Sequence, residues 1–326
     1  YKEALKEAST SSELLTRIGH CYRYTNQTEM AILSYKHAIK QQDVDPLVHF
    51  WLGTSYKSIG KYEEAKASFS TFEQFNPTIS NLSVQSCEFA TTEQPTFYKV
   101  EEVEINSPKY DDYAPVFHKD GVVFTSSRKI MHANLPGGFS DPSIQNFLFR
   151  TDLNAENGLD KLRIIKGGNM FLPTNNVAPF AIHPEQEMAI STYNTFSNGV
   201  RHVRGATLSA LSMEEHKLND LSDFTPGLKL PWITEGVSAS FPCYINNGRS
   251  ILFAAEGLLD GLGGYDLYRA DKKEDGSWSE PIHLGDQVNS PGDEICPFVD
   301  EDGNLYFSSD LLPGFGGFDV FISRKL

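Results

Sequence analysis

The side chains best suited to chemistry are few, and the first to weigh is Glu214-Glu215-His216, the tightest pairing of carboxylate with imidazole in the chain. Three adjacent residues rarely converge on one metal ion, so the triplet is expected in a solvated polar loop and not at a metal centre. The chain contains no G-x-S-x-G, H-E-x-x-H, G-x-x-x-x-G-K-[ST] or G-x-G-x-x-G. Those patterns mark serine hydrolases, zinc peptidases, P-loop proteins and dinucleotide enzymes. Asp-rich corners at Asp260 to Asp266, Asp293-Glu294 and Asp300 to Gly303 offer oxygen ligands of the kind calcium takes, but without the alternating spacing of an EF-hand. Turns favour Asp and Gly for their own reasons, so turn chemistry is the expected role and calcium the alternative. No catalytic residue, metal or cofactor is expected.

Charge and cysteine usage narrow the classes further. The 326 residues carry a net charge of −15. Residues 1–92 hold nine Lys/Arg and ten Asp/Glu, while residues 93–326 hold 19 and 33, a charge of −14. A surface that acidic repels phosphate backbones and anionic lipid, so neither nucleic acid nor direct membrane insertion is expected. Cys21, Cys87, Cys243 and Cys296 show no zinc-ligand spacing and are expected as free, buried thiols.

The elements that position these residues show in two internal repeats. Gly19 and Gly53 lie 34 residues apart, and Ile18-Gly19-His20-Cys21-Tyr22 aligns with Leu52-Gly53-Thr54-Ser55-Tyr56. Twelve residues beyond each glycine stands an alanine, Ala31 or Ala65, and sixteen beyond stands an aromatic ring, Tyr35 or Phe69. Small residues let two antiparallel helices approach and the rings fill the space between turns. Asn76-Pro77 is expected to close the second unit, since proline breaks a helix it interrupts. The same register places Tyr1 to Ala8 in the second helix of an earlier repeat, so further repeats are expected upstream. Residues 79–90 are expected to form a capping helix.

From residue 97 on, short alternating strands and Gly/Asp/Asn turns take over. Pro115, Pro179, Pro242 and Pro297, spaced by 64, 63 and 55 residues, mark four copies of a strand–turn–strand unit, each proline expected at the start of its strand. Further strands follow at Gly263-Gly-Tyr-Asp-Leu-Tyr268 and Gly316-Gly-Phe-Asp-Val-Phe321. Outer strands are expected at Phe97 to Val103 and around Trp278. Four strands per unit is the arithmetic of a propeller blade. The expected fold is therefore α+β and multidomain: helical repeats over 1–92, then an antiparallel β-propeller of four visible units over 97–326.

The 34-residue unit resembles the tetratricopeptide repeat. The run from Trp278-Ser-Glu-Pro through Asp302-Gly-Asn-Leu-Tyr-Phe-Ser-Ser309 to Gly316-Gly-Phe-Asp-Val-Phe321 looks like the TolB-like propeller repeat. Helices followed by such a propeller are similar to the OmpA-like, outer-membrane-associated family of the Bacteroidota, which includes the peptidoglycan-anchoring periplasmic component of the type IX secretion and gliding machinery. That resemblance implies a non-enzymatic scaffold in the periplasm, with envelope proteins as partners and peptidoglycan reached through domains outside this chain. It also implies a concave groove lined by the first helix of each repeat. The matching positions are Glu13, Thr16, His20 and Arg23, then Leu47, Phe50, Thr54 and Lys57. Arg23 and Lys57 are equivalent and expected to be exposed, where they would grip a peptide carboxylate. A propeller enzyme of glycosidase type, with carboxylates around an axial funnel, and a carbohydrate- or peptidoglycan-binding module are the alternatives.

Overall fold

The structure, a computed structural model, describes residues 11–92, 102–103, 107–119, 121–128, 147–153, 159–165, 175–195, 211–220, 223–225 and 227–324. The chain divides into two units: the helices together with Ser309–Val320, and the strands. Ser309–Val320 thus groups with the helices, although the sequence places it among the blades. The helix expected at Tyr1 to Ala8 lies outside the described residues. So does the strand expected at Phe97 to Val103, apart from Glu102 and Val103, which are not in a strand.

Among the described residues the helical unit has five helices: α1 (Ser12–Tyr24), α2 (Thr28–Ile39), α3 (Leu47–Lys57), α4 (Tyr62–Phe72) and α5 (Pro77–Thr91). The Ser11 side chain caps α1 by accepting from the Leu14 N–H. Asn76 caps α5 in the same way through Ile79. Proline therefore does not close the second repeat, as expected from the sequence, but opens the next helix. At the first helical position its missing N–H is no loss. The two glycines sit where the 34-residue period puts the closest approach. A Cβ on Gly19 would lie 2.6 Å from Tyr35 Cδ1, and one on Gly53 2.6 Å from Phe69 Cε1. Tyr35 packs with Ala31, Ala38, Val48 and Leu52 in one core, and Phe69 with Ala65 and Cys87 in the next.

Among the described residues sixteen strands form four antiparallel sheets, the blades of a β-propeller. The first holds β1 (Asp112–His118), β2 (Gly121–Ser126), β3 (Phe147–Leu153) and β4 (Leu159–Ile164) in that order. The second holds β5 (Asn175–Ile182), β6 (Met188–Thr195), β7 (Ser212–Asp220) and β8 (Asp223–Phe224), with β9 (Leu228–Lys229) also paired to β7. The third holds β10 (Ser238–Ile245), β11 (Ser250–Glu256), β12 (Asp266–Asp271) and β13 (Ile282–His283). The fourth holds β14 (Glu294–Val299), β15 (Leu305–Ser309) and β16 (Asp319–Ser323). The leading strands neighbour one another in sequence, β1 with β5, β5 with β10 and β10 with β14.

Each repeat proline falls inside its leading strand and not at the start. In the first three sheets the register breaks around it, between Tyr113 and Val116, Val177 and Phe180, and Ser240 and Cys243. The preceding residue is left-handed in three of the four, with φ of 53° at Ala114, 55° at Phe241 and 55° at Cys296. A bulge suits proline because the ladder is already interrupted there. Between sheets, Trp278 packs edge-on to Trp232, which stacks on Phe253 at 5.5 Å. All four cysteines are free, as expected, but only Cys87 is buried; Cys21 and Cys296 are exposed. Cys21 points outward from a helix whose inward turn is occupied by Ile18 and Gly19.

Candidate functional site

On the helices, the residues that chemistry would use first are gathered around Arg23. Its guanidinium carbon lies 4.4 Å from the centroid of the Trp51 ring and 4.6 Å from that of Tyr24. Contacts of this kind hold a cation on the negative face of an aromatic ring. Its Nε is buried without an acceptor among the described residues. His20, one turn earlier on α1, meets Trp51 edge-on at 5.5 Å, and its Nδ1 is 2.8 Å from the Tyr35 hydroxyl. Burial, and then the Arg23 charge, hold the His20 imidazole below the ordinary histidine range against the opposing pull of Asp45. Burial pushes the Tyr35 hydroxyl up to about 12. The cluster is thus one fixed cation beside a neutral imidazole, with Tyr24 76% exposed at its rim.

The other groove positions divide. Glu13 is exposed and paired to Arg17 at 2.7 Å, and Leu47 is exposed. The Thr16 and Thr54 hydroxyls turn back to the carbonyls of Ser12 and Phe50. Phe50 is packed among Trp51, Phe69 and Phe72, so its ring belongs to the interior of the repeat. Lys57 departs most from expectation. Its Nζ donates to Ser86 Oγ, and its methylenes lie against Gly316. Burial pushes its ammonium below the ordinary lysine range, opposed by Cys87, Asp319 and Asp310. Arg23 and Lys57 are therefore equivalent in sequence but not in setting. Trp51 was not legible as a site residue, since its partner in the 34-residue register is Arg17 and the repeat carries no aromatic there.

In the propeller, the buried carboxylates are engaged in holding the fold. Asp112 meets Arg128 at 2.5 Å and 2.9 Å through both oxygens. Glu294 accepts from the Ser290 N–H and hydroxyl, and Asp266 accepts from Leu262 and Gly263 through Oδ2, while its Oδ1 lies 3.4 Å from His283 Nε2. Asp293 accepts from Tyr265 and Asp300 from Asn304, so the Asp-rich corners are turn-capping devices. Among the described residues no three His, Cys, Asp or Glu side chains gather as they would around a metal ion.

Glu214-Glu215-His216 lies in strand β7 and not in a loop. Met213 and Leu218 bury the same strand, and each charge finds a partner there: Glu215 with Lys272 at 2.6 Å, Glu214 with the Tyr193 hydroxyl. His216 Nε2 is 2.7 Å from Ser191 Oγ and its Nδ1 is 2.8 Å from the Thr225 carbonyl. The geometry resembles a nucleophile–base pair, but Ser191 is fully buried and His216 nearly so, with a carbonyl where a triad has a carboxylate. A cleft of about 630 Å³ lies beside Phe117, His118, Lys119, His183 and Glu185. His183 is spent on its own turn, its Nδ1 accepting from the N–H groups of Glu185 and Gln186.

Residues 12–43 and 47–78 match the tetratricopeptide repeat family. No curated protein matches the chain. Among solved structures, a β-1,2-mannobiose phosphorylase from Listeria innocua is similar at 13% identity and a TM-score of 0.39, over 64% of this chain and 56% of that one. A puromycin-hydrolysing peptidase of Mycobacterium tuberculosis is similar at 14% identity and a TM-score of 0.37, over 66% of this chain and 29% of that one. A GH93 α-L-arabinofuranosidase of Fusarium graminearum is similar at 9% identity and a TM-score of 0.35, over 66% of this chain and 57% of that one. The match in each case takes in less than two thirds of the solved protein, and none of these distant likenesses bears on what this chain does.

Proposed function

We propose that the chain is a non-catalytic interaction scaffold whose tetratricopeptide helices recognise an extended segment of a partner protein. The single observation that carries this reading is the Arg23 cluster: a half-buried cation fixed between Trp51 and Tyr24. A carboxylate of the partner, from its C-terminus or an acidic side chain, pairs with the guanidinium charge and gains from the aromatic surroundings. Tyr24 supplies exposed apolar surface beside it, and Leu47, one turn before Trp51 on α3, is exposed as well. The engaged carboxylates and the enclosed Ser191–His216 pair support a propeller that frames and does not catalyse.

The succession of helices and propeller, with its resemblance to envelope proteins of the Bacteroidota, supports a place at the periplasmic face of the outer membrane. There the scaffold would hold secretion or gliding components together. The test is affinity for a copurifying envelope protein, measured with wild type and with Arg23→Glu. Loss of a charge-assisted contact should weaken binding by about 1.5–3 kcal/mol, roughly 10- to 100-fold. Wild-type affinity in the Arg23→Glu protein would remove the cluster from the interface. Turnover of glycosides or peptides that disappears on changing one propeller carboxylate would overturn the non-catalytic reading.

A further inference from the structure

Ser309–Val320 groups with the helices and is seated on α3 and α5. Ser86 on α5 is the centre of this contact. Its hydroxyl donates to the Gly314 carbonyl at 2.7 Å and accepts from the Gly314 N–H at 3.1 Å. It also accepts from Lys57 Nζ, so its one donor and both lone pairs are in use. Phe315 meets Phe89 edge-on at 5.4 Å, and Gly316 lies against the Lys57 methylenes.

The segment arrives already shaped. Asp319 accepts from the Gly316 N–H at 3.0 Å, and Gly316 and Gly317 have φ of 137° and 65°, conformations that L side chains rarely adopt. The matching loop of the third sheet, Gly261-Leu-Gly-Gly-Tyr-Asp266, is capped in the same manner by Asp266. The loop is therefore stable by its own turn chemistry, and what the helices add is recognition of Gly314 and Phe315. A preshaped segment binds with little ordering cost.

We infer that the face formed by Lys57, Ser86 and Phe89 is a peptide-binding site for glycine–aromatic segments, and that the chain fills it in cis with residues 314–316. Ser86 reads a backbone N–H and C=O together, Phe89 takes an aromatic ring, and Lys57 lies over a residue with no side chain. This site stands independently of the Arg23 reading, because its test needs no outside partner.

The experiment has two parts, both on the full chain. In hydrogen exchange, Ser86→Ala should speed exchange of the Gly314 amide by about tenfold or more while α1 to α4 keep their protection. Unchanged exchange at Gly314 would overturn the inference. In the second part the probe is a fluorescent peptide with the sequence of residues 310–321. Wild type, its site filled, should not bind it, whereas Gly314→Pro/Phe315→Ser should bind it saturably. Adding Ser86→Val to that variant should weaken the peptide by about tenfold, as expected for a lost pair of hydrogen bonds. Equal binding by all three proteins, or binding by none while their helical content is unchanged, would also overturn it.

Discussion

Replacing Gly53 with alanine separates two effects that usually act together. Alanine favours a helix interior over glycine by about 1 kcal/mol, so an exposed Gly→Ala change would stabilise α3. At Gly53, however, the new methyl would sit 2.6, 2.7 and 2.9 Å from three atoms of the Phe69 ring. Those are well inside ordinary contact distance. Phe69 is 1% exposed and packed with Ala65, Cys87 and Phe50, so the ring has no free direction in which to retreat. Overpacking of this kind costs about 1–3 kcal/mol, which leaves Gly53→Ala between neutral and destabilising by about 2 kcal/mol after the propensity gain. The assay is urea unfolding of the full chain followed by far-ultraviolet circular dichroism, whose signal the helices dominate. A Gly53→Ala/Phe69→Leu protein supplies the control, since the smaller side chain makes room. The two changes should couple by at least about 1 kcal/mol in the relieving direction. If Gly53→Ala stabilises by the full propensity gain, or the two changes simply add, the close approach of α3 and α4 at this point is wrong.

Three further outcomes follow from the same geometry. Arg128→Met leaves the Asp112 carboxylate buried without its cation, and chemical denaturation should show a loss of about 3 kcal/mol; a Asp112→Asn/Arg128→Met protein should lose much less, and equal losses would refute the pairing. Burial holds His20 and His49 below the ordinary histidine value of 6.5, so the unfolded chain takes up protons first as pH falls. The helical unit should therefore lose stability from about pH 6.5 downward, through the lowered folded values, and His20→Gln/His49→Gln should flatten that slope; an unchanged slope counts against it. Ala114→Gly should be neutral or stabilising by up to about 1 kcal/mol, because φ there is 53°, whereas Ala239→Gly in regular strand should cost stability; like effects at both sites would argue against the bulge.

The helical fold was legible because Gly19, Ala31 and Tyr35 recur at one period without a gap, and helix packing leaves those positions little freedom. The blades were legible from their prolines, although the reason for each proline was not. A left-handed residue such as Ala114 has no mark of its own in the sequence, so the bulge that accommodates Pro115 could not be anticipated. The site was less legible for a related reason. Lys57 looks like Arg23 in the repeat register, but its surroundings come from Gly314 to Asp319, more than 250 residues away in the chain. His216 looked solvated beside two glutamates because its partners, Ser191 and the Thr225 carbonyl, are contributed by a neighbouring strand and by residues just past the end of β7.

If the Arg23 side of the helices meets a partner protein, site-specific photocrosslinking captures that contact. A photoreactive phenylalanine is placed at Tyr24, exposed beside the cluster, at Leu47, exposed one turn before Trp51 on α3, and at Lys36, exposed on α2. The three proteins are then irradiated in native envelopes and their adducts identified by mass spectrometry. The account predicts one and the same envelope protein joined at positions 24 and 47, absent at 36, and lost from both when Arg23→Glu is added. Adducts at 36 equal to those at 24 and 47, or adducts that survive Arg23→Glu undiminished, would contradict it.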